Sequence, residues 1–180
     1  MSAPVTKPAR VMAERLEVDI ETFAPAWQEA IPDAEAICRR AALAAFAVAG
    51  PPANCAEVSL VLADDARMRD LNRDYRGEGR PTNVLSFAAL DAGRPDMSLG
   101  ADEPLLLGDV VLAYETIASE AAQHGRSPAN HLSHLVVHGM LHLFGYDHRT
   151  DAEADAMERL EVRVLENLGV PDPYAAPSDE

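Results

Sequence analysis

Apolar and polar residues follow two periods along this chain. Leu16-Glu17-Val18-Asp19-Ile20 alternates strictly and predicts a strand with one buried face. Residues 32–48 carry helical periodicity and end at Gly50-Pro51-Pro52, a combined stop signal. Val58-Ser59-Leu60-Val61-Leu62 predicts a second strand, and Asp64 is placed to cap a short helix running to about Tyr75. Gly77, Gly79 and Pro81 form a loop, from which Val84 to Phe87 leaves as a short strand. Gly93, Pro95 and Gly100 predict a loop over 91–103. Residues 105–112 read as a strand with Asp109 inside an apolar run, and residues 115–123 as a helix.

The next helix has clear ends. Ser127 is a capping residue and Pro128 suits the first turn, where no N–H is needed. Leu132, Leu135, Val136, Met140, Leu143 and Phe144 recur at helical spacing, and Gly145 provides a stop. A last helix opens on the capping box Thr150/Glu153, buries Met157, Leu160, Val164 and Leu168, and ends at Gly169 and Pro171. Residues 1–14 are expected to be loose, 15–170 to form a single domain, and 171–180 to be a polar tail that frays. Four strands among five or six helices predict an α+β domain with a small sheet covered by helices.

Composition places the chain among ordinary proteins with a core, at 48% hydrophobic and 25% charged residues over 180 positions. No apolar run is long enough for a bilayer span, and the N-terminal stretch lacks the apolar centre of a signal peptide. A cytoplasmic protein without a membrane partner is the expectation. Cys38 and Cys55 have no ligand-pair spacing and are expected to be buried thiols. The net charge of −15 opposes general adhesion to nucleic acid. Five arginines nevertheless cluster at Arg67, Arg69, Arg73, Arg76 and Arg80. Most of them are expected to pair with neighbouring aspartates on a solvated helix face.

The candidate chemistry lies on the fourth predicted helical segment and the turn after it. His131, His134, His138 and His142 fall within a sector of roughly 80° at about 100° per residue. His138 and His142 are four apart, so their rings stand one turn above the other. Gly145 lets the chain reverse and bring His148 over the helix end. Three imidazoles around one ion leave a fourth position for solvent, the composition of a catalytic rather than a closed structural zinc site. Zn²⁺ is the expected ion, one per chain; nickel, cobalt or copper also suit imidazole. His131 and His134 are expected to support the site by hydrogen bonding. Zinc peptidases share the spacing of His138, His142, Gly145 and His148, but Gly139 stands where their general-base Glu follows the first His.

These residues carry a family resemblance. His138-Gly139-x-Leu141-His142-Leu143-x-Gly145-Tyr146-Asp147-His148 resembles the signature of the YbeY family of bacterial metal-dependent endoribonucleases. So do Leu71-Asn72-x-x-Tyr75-Arg76-Gly77, Pro81-Thr82-Asn83-Val84-Leu85-Ser86-Phe87 and Leu107-Gly108-Asp109-Val110-Val111. The chain departs at Glu78-Gly79, where members often carry a Lys-Asp-like pair, and at Ala88, where they often carry Pro. The resemblance implies a mixed sheet and single-strand-specific cleavage in ribosomal RNA maturation, including 16S 3′-end processing and ribosome quality control. It also implies RNA and the ribosomal small subunit, or a protein associated with it, as partners, with no DNA.

His138 and Arg76 are then the candidate catalytic residues, with Arg76 on phosphate, since a planar guanidinium matches phosphoryl oxygens with two hydrogen bonds. Asn83 and Ser86 are candidate substrate contacts. Asp147 and His134 are candidate supports behind the ligands. Tyr75 and Tyr146 are expected to pack in the core or stack on bases, and Asp109 to be structural with a partner. Two alternatives stay open: a ribosome-assembly or RNA-binding factor with a structural metal, and another zinc metallohydrolase.

Overall fold

The computed structural model describes residues 15–89 and 103–176. In chain order the elements are β1 (Leu16–Thr22), α1 (Ala26–Ala30), α2 (Ala34–Ala49), β2 (Ala56–Ala63), α3 (Asp65–Arg76), β3 (Val84–Ala88), β4 (Leu105–Ala113), α4 (Tyr114–Gln123), α5 (Pro128–Leu143) and α6 (Asp151–Asn167). The strands lie in the order β1-β2-β4-β3, with β1, β2 and β4 parallel and β3 antiparallel to β4. This is the expected α+β arrangement with a small mixed sheet.

Strand alternation divides the sheet between two unequal cores. Val58, Leu60, Leu62, Val110 and Leu112 join the main core with α2, α5 and α6. Ala63, Leu85, Val111 and Ala113 face the other way and pack with Met68 of α3 in a smaller cluster. Helix α5 runs through the main core against β3, β4, α2, α4 and α6. Its Leu132, Val136, Met140 and Leu143 are fully buried, each contributing roughly 1.5–3 kcal/mol by removal from water. The histidine helix is therefore held on several sides, and the residues at its C-terminal end inherit that rigidity.

Helix α5 approaches the sheet closely at Gly139. A Cβ added there would lie 2.6 Å from Val110 Cγ1 and 3.1 Å from Ser86 Oγ. The Ser86 hydroxyl donates to the Gly139 carbonyl at 3.1 Å, tying β3 to the helix. A glutamate at this position would point into the sheet, so the packing that seats α5 excludes the peptidase base. Gly139→Ala is expected to cost about 1–3 kcal/mol through overpacking, read as a lowered denaturation midpoint with an unchanged denaturant slope.

Helix ends match their sequence signals. The Asp64 carboxylate accepts from Arg67 N at 2.8 Å and Ser127 Oγ from Asn130 N at 3.0 Å. The Thr150/Glu153 capping box is formed at both of its bonds.

Several expectations need correction. Helix α1 was not expected: a single anchor, Trp27, holds it, fully buried with Nε1 donating to Ala63 O at 2.9 Å. One anchored residue in five leaves no period to read. Asp109 has no side-chain partner among the described residues; it is exposed, in register with Ser59. Tyr75 is not in the core either, being 69% exposed with its ring 4.7 Å from that of Phe87. The tail does not fray from residue 171. The Arg126 guanidinium donates to Pro173 O, and the Tyr174 hydroxyl donates to Glu161. The expected loop over 91–103, apart from Glu103, and the expected loose segment 1–14 lie outside the described residues.

Candidate metal centre and its cleft

His138 and His142 occupy the last turns of α5, and their Nε2 atoms stand 3.1 Å apart. Gly145 takes φ +97°, a backbone conformation glycine adopts without strain. The chain turns there, and Tyr146 N donates back to Leu141 O at 3.0 Å. His148 then returns over the helix end, its ring centroid 5.8 Å from that of His138 and 5.2 Å from that of His142. One ring nitrogen from each of the three lies within 4.8 Å of the others.

Hydrogen bonding fixes which nitrogens face inward. His142 Nδ1 lies 2.9 Å from Tyr146 O, a carbonyl that only accepts, so Nδ1 carries the proton. His138 Nδ1 lies 2.5 Å from Glu161 Oε1 and donates to that carboxylate. In the neutral rings both Nε2 atoms therefore hold lone pairs, directed at each other across 3.1 Å. Two such lone pairs repel unless a cation lies between them. Tetrahedral ligands about 2.05 Å from zinc are separated by about 3.3 Å, so the donor set and spacing fit a divalent ion of this kind. Burial, followed by the neighbouring His138, lowers the His142 pKa and favours the neutral form that a ligand needs.

Glu161 is the residue sequence reasoning missed. It comes from α6 and is 1% exposed, and each of its oxygens is engaged. Oε1 accepts from His138, while Oε2 accepts from His134 Nε2 at 3.0 Å and from the Tyr174 hydroxyl. A signal was present: Glu161 falls on the buried stripe of α6 with Met157, Val164 and Leu165, and a charge on such a stripe requires partners. Burial raises the Glu161 carboxyl, but hydrogen bonds from His134 and His138, the His138 charge and Tyr174 outweigh it and hold the group at about 2.

This shift has a defined sign. A carboxyl lowered from 4.5 to about 2 in the fold contributes stability that is complete above pH 4.5 and lost as pH falls toward 2. For the metal-free protein, Glu161→Gln is expected to flatten the urea-midpoint profile across that window, and an unaltered profile would contradict this assignment.

The histidines open onto a cleft of about 510 Å³ that also receives Arg76, Asn83, Ser86 and Tyr146. Arg76 ends α3 across the cleft and has no ion pair among the described residues. Its neighbours are engaged: Arg73 with Asp70 and Asp74, Arg80 with Glu78, and Arg67 over the Phe23 ring at 3.9 Å. Among the described lining residues Asp147 is the sole carboxylate. The strongly acidic chain thus presents a locally cation-rich cleft.

The remaining predicted site residues are tied into the frame. Asn83 lines the cleft, but its amide donates to both Glu120 oxygens at 3.2 and 3.0 Å, and its carbonyl accepts from Val84 N at 2.7 Å. Glu120 also meets His131 Nε2 at 2.8 Å. Asp147 accepts from His148 N at 2.8 Å and pairs with Arg149 at 2.7 Å, shaping the turn that presents His148. The His148 N–H holds the Asp147 carboxyl below its usual range. His134 contacts the site through Glu161 rather than through the cleft.

Comparison with known proteins places the sequence in a family. Residues 26–169 match the family model described as Endoribonuclease YbeY. A protein named Endoribonuclease YbeY from Paramagnetospirillum magneticum is 53% identical over 163 residues, covering 91% of this chain and 98% of that protein. The protein of the same name from Rhodospirillum rubrum is 52% identical over 155 residues, covering 83% of this chain and 76% of its own. One from Rhodopseudomonas palustris is 51% identical over 157 residues, covering 87% and 89%. With a match spanning most of the domain and relatives above half identity, the chain belongs to the Endoribonuclease YbeY family.

Proposed function

We propose that this protein is a metal-dependent endoribonuclease that cleaves single-stranded RNA, with ribosomal RNA as its substrate in small-subunit maturation. The observation that carries this reading is the pair of inward lone pairs on His138 and His142 beside His148, facing a cleft that holds Arg76, which has no ion pair among the described residues. Such a site combines cation binding with phosphate recognition.

His138, His142 and His148 would hold the ion, and Zn²⁺ is the choice that imidazole donors and three-ligand geometry favour. An ion bound there supplies a Lewis acid for a phosphoryl centre. Arg76 binds the nonbridging phosphoryl oxygens through two N–H groups, and this contact strengthens as charge accumulates on them during cleavage. Ser86 retains lone pairs toward the cleft while bonded to Gly139, and Asn83 fixes the adjoining wall through Glu120; both contact the bound strand. The exposed rings of Tyr75 and Tyr146 offer faces on which unpaired bases stack. A duplex has no free base faces, which supports single-strand preference.

The described residues contain no helix long and apolar enough to cross a membrane; the cytoplasm is the proposed compartment. Residues 15–170 would be one metallohydrolase domain, with the ribosome or a protein associated with it delivering substrate to a chain of net charge −15. The test compares one RNA sequence as a single strand, as a duplex and as its DNA counterpart. Cleavage restricted to the single-stranded RNA is expected. Equal cleavage of the duplex would overturn the single-strand preference, and no cleavage of any substrate while ribosome binding persists would favour a binding factor with a structural metal.

A further inference from the structure

Glu161 lies outside the cleft, yet it is the point where three parts of the fold meet. Helix α6 carries it, α5 supplies His134 and His138, and the segment after α6 supplies Tyr174. The Tyr174 ring also stands edge-on to His134, with centroids 5.6 Å apart at 86°. A carboxylate 1% exposed and engaged by three donors leaves those donors little freedom.

We propose that Glu161 and Tyr174 are positioning residues for the metal centre: Glu161 fixes His138 as the Nδ1–H tautomer with Nε2 facing the other ligands, and Tyr174 holds Glu161 in place. This rests on the reading of His138, His142 and His148 as a metal site. The physical reason is that a neutral imidazole offers its lone pair from one nitrogen only. Without an acceptor at Nδ1, the His138 proton redistributes between the two nitrogens and the ring turns more freely. His142 has its own acceptor in the Tyr146 carbonyl, supplied by the turn itself. His138 takes its acceptor from another helix, so the affinity of the site depends on the docking of α6 and the returning C-terminal segment. Residues 171–176 thereby act as a strap on the centre, although none of them lines its cleft.

The test measures zinc affinity by chelator competition in the full chain and its Glu161→Ala, Glu161→Gln and Tyr174→Phe variants. Long-range proton–nitrogen spectra of the metal-free proteins report the His138 tautomer. Glu161→Ala is expected to weaken zinc binding by about 10–100-fold and to replace the single Nδ1–H signal with a tautomer mixture. Glu161→Gln keeps an acceptor and should fall between, with Tyr174→Phe weaker than wild type by less. Affinity within about twofold of wild type, or an unchanged His138 tautomer, in folded Glu161→Ala would overturn the proposal. Should Glu161→Ala fail to fold, wild-type affinity and tautomer in both other variants would overturn it equally. A wild-type chain that binds no zinc would instead sink the metal-site reading, so the two failures are separable.

Discussion

Substituting alanine for His138 is expected to abolish metal binding and to lower RNA cleavage by about a thousandfold or more. Two imidazoles remain in that variant, and an open two-ligand site holds an ion far less tightly. A second effect comes from the other side of the ring. His138 Nδ1 is one of the donors to the buried Glu161 carboxylate, and removing it leaves Oε1 without that partner. Loss of a buried hydrogen bond to a charged group costs about 1–3 kcal/mol or more. His142→Ala removes a ligand whose other nitrogen meets only the Tyr146 carbonyl. Both variants should therefore lose metal and activity, while His138→Ala should also lower the unfolding midpoint of the metal-free protein. Calorimetry of the two variants without metal, beside cleavage assays, checks this. Equal midpoints would mean that Glu161 does not depend on His138.

Arg76→Ala is expected to reduce kcat/KM by about 10²–10³ and to leave zinc affinity unchanged. The side chain is exposed and has no ion pair among the described residues, so its loss disturbs neither fold nor ligands. Arg76→Lys should recover only a small part of the rate, because an ammonium is a point charge without the planar fork that grips two oxygens. Steady-state kinetics with chelator titration separates the terms. A rise in KM with unchanged kcat would make Arg76 a substrate-binding group without a transition-state role.

Much of this site is legible in the chain. The i, i+4 pair His138/His142, the turn at Gly145 and His148 three residues on specify the cluster, because helix pitch and a reversing glycine leave few other places for the rings. Ser127, Asp64 and Thr150 mark their helix starts, since capping is local chemistry. What was not legible depends on distant chain segments. The sequence shows the α6 apolar stripe as Met157, Leu160, Val164 and Leu168, whereas the buried side chains are Met157, Glu161, Val164 and Leu165. Only the position of α5 against α6 turns that acid from an ordinary helix charge into the anchor of His138. Asn83 reads as a cleft residue by its motif; that Glu120, 37 residues away, holds its amide in place shows only in the fold. The role of Tyr174 is hidden for the same reason: nothing local to a polar tail reveals where it docks.

The peptidase comparison illustrates the converse. Gly139 reads first as a missing base. In the fold it is the point where α5 meets Val110 and Ser86, so the same residue excludes one chemistry and seats the helix for another.

The most direct test of the central claim joins elemental analysis of the purified protein to cleavage of single-stranded RNA with and without chelator. About one zinc per chain is expected, bound by the three imidazoles. Cleavage should disappear on stripping the ion and return when it is restored, in proportion to occupancy. A chain that cleaves RNA equally well after complete removal of metal would contradict the account.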